Sequence, residues 1–230
     1  MAFDPSPIGI FLNPTYLIRS RLWRNISRHA LGVKGKVLDF GCGSKPYEDL
    51  FVSSEDYVGV DIVHSGHNHS DSKVDVFWDG KTLPFDDNFF DACVSFEVFE
   101  HVFNPEAVLA ELKRVLKPGG SLVITTPFVY GEHEVPFDFA RYTSYGLRHL
   151  LTEAGFQVEA VEKLGDENLA IGQLLVDYVS NRVPRVKYLG FVLKAIFTAP
   201  IIIAALAFSA VGRKREDTPI YLNLLAVARK

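Results

Sequence analysis

A doubly wound α/β fold, built on an open and mostly parallel sheet, is what this sequence predicts, on three observations. Between residues 36 and 162 short β-rich runs alternate with helical stretches, the order that winds a parallel sheet with helices on both faces. The runs are near-continuously apolar, as strands buried on both sides must be. The first of them closes on Asp39-Phe40-Gly41-Cys42-Gly43, an acid and a glycine turn at the carboxyl edge where such sheets hold their ligands.

The strands follow one another in a regular order. Val37–Phe40 is the first and Tyr57–Asp61 the second, each an apolar run that meets an acid. Val74–Asp79 repeats the form, then come Phe90–Phe96 and Ser121–Thr126. Asn104 and Pro105 open a helix with Val108, Leu112 and Val115 on one face, and Lys117-Pro118-Gly119-Gly120 ends it. Thr143 or Ser144 caps a second helix striped by Leu147, Leu150, Leu151 and Ala154, with Gly155 at its end. Phe156–Val161 is the sixth strand and Ile220–Val227 the last.

Composition narrows the function. The 230 residues carry 24 basic and 28 acidic side chains, a net charge of −4, with no cationic field for nucleic acid. Hydrophobic residues make up 48% of the chain, enough for a folded core of one domain with an addition. Cys42 and Cys93 are the only cysteines, so buried thiols in a reducing compartment are expected. The start shows no basic segment before an apolar run, which predicts a cytoplasmic protein.

At the strand ends stand Asp39, Gly41, Gly43, Asp61 and Asp79. Asp61 lies 20 residues past Gly41, the spacing at which a second-strand carboxylate meets a ribose. Asp79 ends the third strand and suits an adenine amino group. These positions indicate an adenosine ligand. A dinucleotide needs amide donors at the helix start, and Pro46 has none. Asp39 would repel a diphosphate and attract an ammonium group. S-adenosylmethionine satisfies both requirements.

The same residues carry a resemblance. Val37–Gly43 resembles motif I of the class I S-adenosylmethionine-dependent methyltransferases, and Gly59-Val60-Asp61-Ile62 their second motif. Leu83-Pro84-Phe85, Phe90-Asp91, Glu100-His101-Val102 and Leu116–Gly120 are similar to the type 11 branch. The resemblance implies a Rossmann-like sheet of seven strands, the last antiparallel. It implies that Asp39, Gly41, Cys42 and Gly43 hold the methionine end, Asp61 the ribose, and Asp79 with Gly80 the adenine, with Ile62 a further cofactor contact. Phe96 is a further cofactor contact or a core aromatic. Lys45 stands where many members have a third loop glycine.

For catalysis the candidates are His101, after the fourth strand, and His133. Glu134, Asp138, Arg141 and Tyr142 join His133 in a polar and aromatic stretch after the fifth strand, suited to a substrate loop. That stretch resembles type 11 members, some of which act on glycans or lipid-linked intermediates. His64, His67, His69 and Asp71 are read as loop residues, and no metal is expected.

The chain divides into an N-terminal amphipathic helix or lid (1–35), the cofactor-binding core (36–165), an apolar helical insert (166–215) and the last strand (216–230). In the first part Ile18, Leu22 and Ile26 share one helical face and Arg21, Arg24 and Arg28 another, as on a lid or a membrane-lying helix. Ala195–Gly212 is free of charge, and Pro200 is expected to break it into two short helices. A single span would separate the last strand from its sheet. The insert is therefore read either as a helical hairpin packed on the domain or across a dimer, or as a segment that dips into one leaflet through 188–212, with Arg182, Arg185, Lys187 and Arg213–Arg215 at the headgroups.

The expected function is methyl transfer from S-adenosylmethionine to a small molecule, a glycan or lipid-linked acceptor at the inner face of a membrane. The rivals are a nucleotide-dependent oxidoreductase and a non-catalytic adenosyl-binding module docked on a membrane.

Overall fold

The computed structural model describes residues 5–63, 72–184, 189–212 and 218–230. In chain order the elements are α1 (Gly9–Leu12), α2 (Tyr16–Ala30), β1 (Gly35–Phe40), β2 (Ser54–Ile62), β3 (Val76–Trp78), β4 (Phe90–Phe96), α3 (Pro105–Val115), β5 (Leu116–Pro127), α4 (Ser144–Glu153), β6 (Gln157–Leu164), α5 (Glu167–Ser180), α6 (Leu189–Val211) and β7 (Asn223–Arg229). The seven strands form one sheet in the order β3-β2-β1-β4-β5-β7-β6. β1 pairs parallel with β2 and β4, β2 with β3, and β4 with β5. The last strand is antiparallel, and at its end Gly119 N–H donates to Lys230 O (3.0 Å) and Lys230 N–H to Gly120 O (3.1 Å).

The order reverses between β1 and β4, so their carboxyl ends open a crevice. Val37, Leu38, Cys93, Val94, Leu122 and Ile124 are buried on these central strands, which is why they read as continuous apolar runs. Each such side chain contributes about 1.5–3 kcal/mol on leaving water. Punctuation acts where expected. Thr143 Oγ1 accepts the Gly146 N–H at 3.0 Å to cap α4, and Gly155 takes φ +80° beyond its end. Lys117-Pro118-Gly119-Gly120 forms a bulge inside β5, since Phe90 pairs with Leu116 and Ala92 with Ser121.

Two compact units emerge, residues up to Arg24 with Lys163–Asn223, and Asn25–Glu162 with Leu224–Lys230. In the first, α5 packs on α6 at Gly172, whose missing Cβ leaves room for Ala205. The expected break at Pro200 is corrected: α6 runs unbroken for 23 residues, roughly 35 Å at 1.5 Å per residue. The preceding turns carry the helix past the lost N–H, and the Thr198 hydroxyl bonds back to the Lys194 carbonyl at 2.8 Å. The hairpin is α5 with α6. The stretch Val192–Val211 is long and apolar enough to cross a bilayer and is 22% buried.

The membrane-lying reading of the N-terminal helix is also corrected. Leu17, Ile18, Leu22 and Ile26 of α2 are buried in protein, which occupies the stripe a lipid surface would need. His64, His67, His69, Asp71, Arg185, Lys187 and Arg213–Arg215 lie outside the described residues.

Candidate cofactor and acceptor site

β1 delivers Asp39 to the crevice, buried to 3% exposure. Its Oδ2 accepts the Tyr57 hydroxyl at 2.8 Å. Burial pushes the carboxyl up to about 7, against the pull of the Tyr57 bond and the Lys45 charge. Beyond it Gly41 turns the chain at φ +74°, and a Cβ there would run into the Val98 side chain. Gly43, at φ +48°, faces open space where its Cβ would stand, and its N–H donates to Asp61 Oδ2 at 3.0 Å. Cys42 is buried, and desolvation holds its thiol protonated, so it shapes the loop without reacting.

Lys45 also adopts a left-handed backbone, φ +51°, the conformation that favours a glycine. Its ammonium folds back onto Asp75 Oδ2 at 2.5 Å and the Tyr57 carbonyl at 3.2 Å. Asp75 in turn accepts the Gly59 N–H at 2.7 Å. The substitution therefore keeps the loop's path and adds an ion pair behind it. Neither Asp75 nor Tyr57 was legible as a site residue from sequence.

At the edge of β2 and β3, Asp61 Oδ1 accepts the Ile62 N–H at 2.8 Å, and the Ile62 side chain is 37% exposed. Asp79 is exposed, and its Oδ1 takes the N–H groups of Lys81 (2.9 Å) and Thr82 (3.3 Å). These bonds hold it below the usual carboxylate range. It closes a turn with Gly80 at φ +84°. Phe96, half-buried, packs its ring 5.2 Å from Tyr47 and 6.2 Å from Phe51.

The second half of the site follows β4 and β5. A short 3-10 turn, Phe99–His101, carries Glu100 and His101, and its Glu100 carbonyl accepts the N–H groups of Phe139 (2.7 Å) and Ala140 (3.2 Å). The loop after β5 is thereby tied to the turn after β4. His101 Nδ1 meets the Phe137 carbonyl at 2.9 Å. Arg141 forks onto Asp138 at 2.5 and 2.7 Å, which brings the Asp138 carboxyl down to about 2. Asp138 also accepts the His133 N–H at 3.0 Å. Burial and the neighbouring His101 lower the His133 imidazole below its ordinary value.

The imidazoles of His101 and His133 stand 4.7 Å apart. Glu134 Oε2 lies 3.7 Å from His101 Nε2, and Tyr142 is half-buried nearby in sequence. Between the imidazoles sits a residue not expected to act, Glu100. Its side chain is 1% exposed, and burial followed by the Glu97 charge pushes its carboxyl upward. The Glu-His pair just beyond a strand end was the available signal.

The chain matches the model of the methyltransferase domain family over residues 38–124. It is 35% identical over 147 residues to a demethylmenaquinone methyltransferase of Paenarthrobacter aurescens, covering 57% of this chain and 54% of that protein. Among solved structures it resembles an S-adenosylmethionine-dependent methyltransferase from Archaeoglobus fulgidus (TM-score 0.57, 18% identity, 97% of each chain). It also resembles the cyclase SpnF (TM-score 0.58, 19% identity, 92% of this chain and 81% of that one). The chain spans about half the length of the curated relatives it matches.

Sheet order, strand-end carboxylates and the match over residues 38–124 support a class I S-adenosylmethionine-dependent methyltransferase domain. Residues 38–124 match the domain model of that family, and S-adenosyl-L-methionine is the cofactor this likeness implies. The residues fit that group. A buried acid stands ready for its ammonium, and Gly43 leaves space where a side chain would intrude.

Proposed function

We propose that the protein methylates a lipid-linked small molecule at the cytoplasmic face of a membrane. The observation that carries this reading is a two-part edge. A nucleoside cradle follows β1 and β2, and a histidine- and carboxylate-lined patch follows β4 and β5. The cofactor supplies an electrophilic methyl group on a sulfonium. Asp39 holds its ammonium, Asp61 its ribose, and Ile62 with Asp79 and Gly80 border the adenine. The loop 130–142, braced by the Arg141–Asp138 fork, holds the acceptor. His101 and His133 border the acceptor, and alignment supplies most of the acceleration.

The lipid part rests on the α5–α6 pair. Ile171, Leu174, Ile196, Phe197, Phe208 and Val211 are exposed, more apolar surface than a monomer leaves uncovered without a use. β6 leads into α5 and β7 follows α6, and the two strands adjoin, with Leu222 N–H on the Leu164 carbonyl at 2.9 Å. The first and last residues of this excursion thus lie beside each other, and on this reading α6 lies in a leaflet. The similarity to a demethylmenaquinone methyltransferase makes demethylmenaquinone the first acceptor to assay.

Methyl-labelled cofactor, incubated with the protein and either a lipid or an aqueous cell extract, tests both parts. Label in the lipid extract is expected. Label confined to the aqueous extract removes the lipid-linked acceptor, and no S-adenosylhomocysteine with either removes methyl transfer. The likeness to a cyclase keeps a second use of the same cofactor cradle in view, and that last outcome would favour it. Flotation with anionic vesicles, lost in Ile196→Glu/Phe208→Glu, tests the surface. A dimer that dissociates in that variant, with no flotation of the parent, would instead assign the face to a second copy.

A further inference from the structure

The buried edge between the two histidines has the form of a metal site. Glu100 Oε1 lies 3.8 Å from His101 Nε2 and 3.8 Å from His133 Nε2. Neither Glu100 oxygen has a hydrogen-bond partner, nor does the buried His101 Nε2. A carboxylate so placed costs several kcal/mol if it stays charged and unpaired. The nearest guanidinium, on Arg141, is committed to Asp138.

The two rings are already set for coordination. His101 Nδ1 is held by the Phe137 carbonyl at 2.9 Å. His133 Nδ1 lies 3.2 Å from the Gly131 carbonyl and 3.2 Å from Asp138 Oδ2. Each partner is an acceptor, so the ring proton belongs on Nδ1 and the lone pair on Nε2. Metal-bound histidines are oriented in this way.

We propose that Glu100, His101 and His133 bind one divalent first-row cation, of which zinc is the first to test. Two imidazoles, one carboxylate and no thiolate form the donor set of open zinc sites. Tetrahedral bonds of about 2.0–2.1 Å put ligand atoms about 3.4 Å apart, so Glu100 needs to close on each histidine by only a few tenths of an ångström, and the three ligand atoms already lie within 4.8 Å of one another. Glu134, 3.7 Å from His101 Nε2, borders the open position.

That position takes an acceptor oxygen, a part of the inference that rests on the methyl-transfer reading; the cation itself does not. The bound hydroxyl gives its proton to water, its lone pair forms the new O–C bond, and the C–S bond breaks with its electrons on sulfur. Binding the cation lowers the hydroxyl's pKa. This replaces the free-base role expected of His101 and His133, and the expectation of no metal.

Calorimetric titration of the chelator-treated full chain with zinc chloride is the test. One equivalent is expected at micromolar affinity or tighter, weakened about a hundredfold in Glu100→Gln and in His133→Ala. Circular dichroism checks that both variants fold. The His64→Ala/His67→Ala/His69→Ala variant is expected to keep the full affinity. Cobalt titration of the unmutated chain adds a readout independent of folding, in which visible bands of a four- or five-coordinate nitrogen–oxygen site are expected. Absence of saturable uptake, uptake unchanged in folded Glu100→Gln, or uptake lost in the triple variant would overturn the site. Zinc uptake without any methyl transfer would count against the reaction and leave the cation site standing.

Discussion

The Tyr57 hydroxyl donates to Asp39 Oδ2 across 2.8 Å, joining two strands behind the glycine loop. Asp39 sits at about 7 because it is buried, well above an ordinary aspartate near 3.9. The ammonium of the cofactor prefers the ionised form. Affinity for S-adenosylmethionine should therefore weaken as pH falls from 8 to 6, approaching tenfold per unit below 7. In Asp39→Asn it should be weak and nearly flat with pH. Calorimetry across that range checks it, and a parallel slope in both proteins would refute it.

The same raised value bears on stability. The folded form holds the Asp39 proton more tightly than the unfolded chain, so this contribution is complete below about pH 4 and is lost as pH rises through about 7. Without cofactor, Asp39→Asn should be more stable than the parent at pH 8 by about 1–4 kcal/mol. At pH 4 the difference should nearly vanish. Urea melts at the two pH values measure this.

Arg141 braces the loop after β5 through Asp138. Arg141→Ala should lower kcat about tenfold or more and leave cofactor affinity within about twofold, since the cradle after β1 is untouched. Arg141→Lys should restore only part, because an ammonium cannot make the fork. Steady-state kinetics beside calorimetry separates the two effects.

Arg114 is a hub of the second unit. It donates to Glu111 at 3.0 and 2.9 Å, to Asp87 at 2.8 Å, and to the carbonyls of Leu83 and Phe85 at 2.8 Å each. The Leu83-Pro84-Phe85 turn hangs on it. Arg114→Ala should cost about 2–3 kcal/mol in a denaturant melt, from the lost charged bonds and carbonyls left without this donor.

Gly172 and Ala205 let α5 and α6 approach closely. Gly172→Leu should overpack that contact and destabilise by about 1–3 kcal/mol, read as a lower Tm. Methyl transfer to a water-soluble acceptor analogue should survive where the second unit remains folded.

Local sequence alone carried the succession of strands, the Thr143 cap and the clustering of strand-end acids with glycines, while Asn104 stands at the N-terminus of α3 without a side-chain cap bond. Phe90–Phe96 appears with the bounds expected, and Asp39, Gly41, Gly43 and Asp61 lie together at the crevice. Such features depend on residues close along the chain. A continuous apolar run states that a strand is buried, and a glycine turn states where its backbone bends. Pro200 shows the limit, because its local preference against helix yielded to the long apolar helix around it.

The histidine and carboxylate cluster was decided by tertiary structure. Glu100 and His133 are 33 positions apart, and only the return of the loop after β5 to the turn after β4 brings them to 3.8 Å. Burial is likewise a property of the assembled fold. It raises Asp39 to about 7 and leaves Glu100 without a hydrogen-bond partner, because desolvation depends on every neighbour and not on the residue itself.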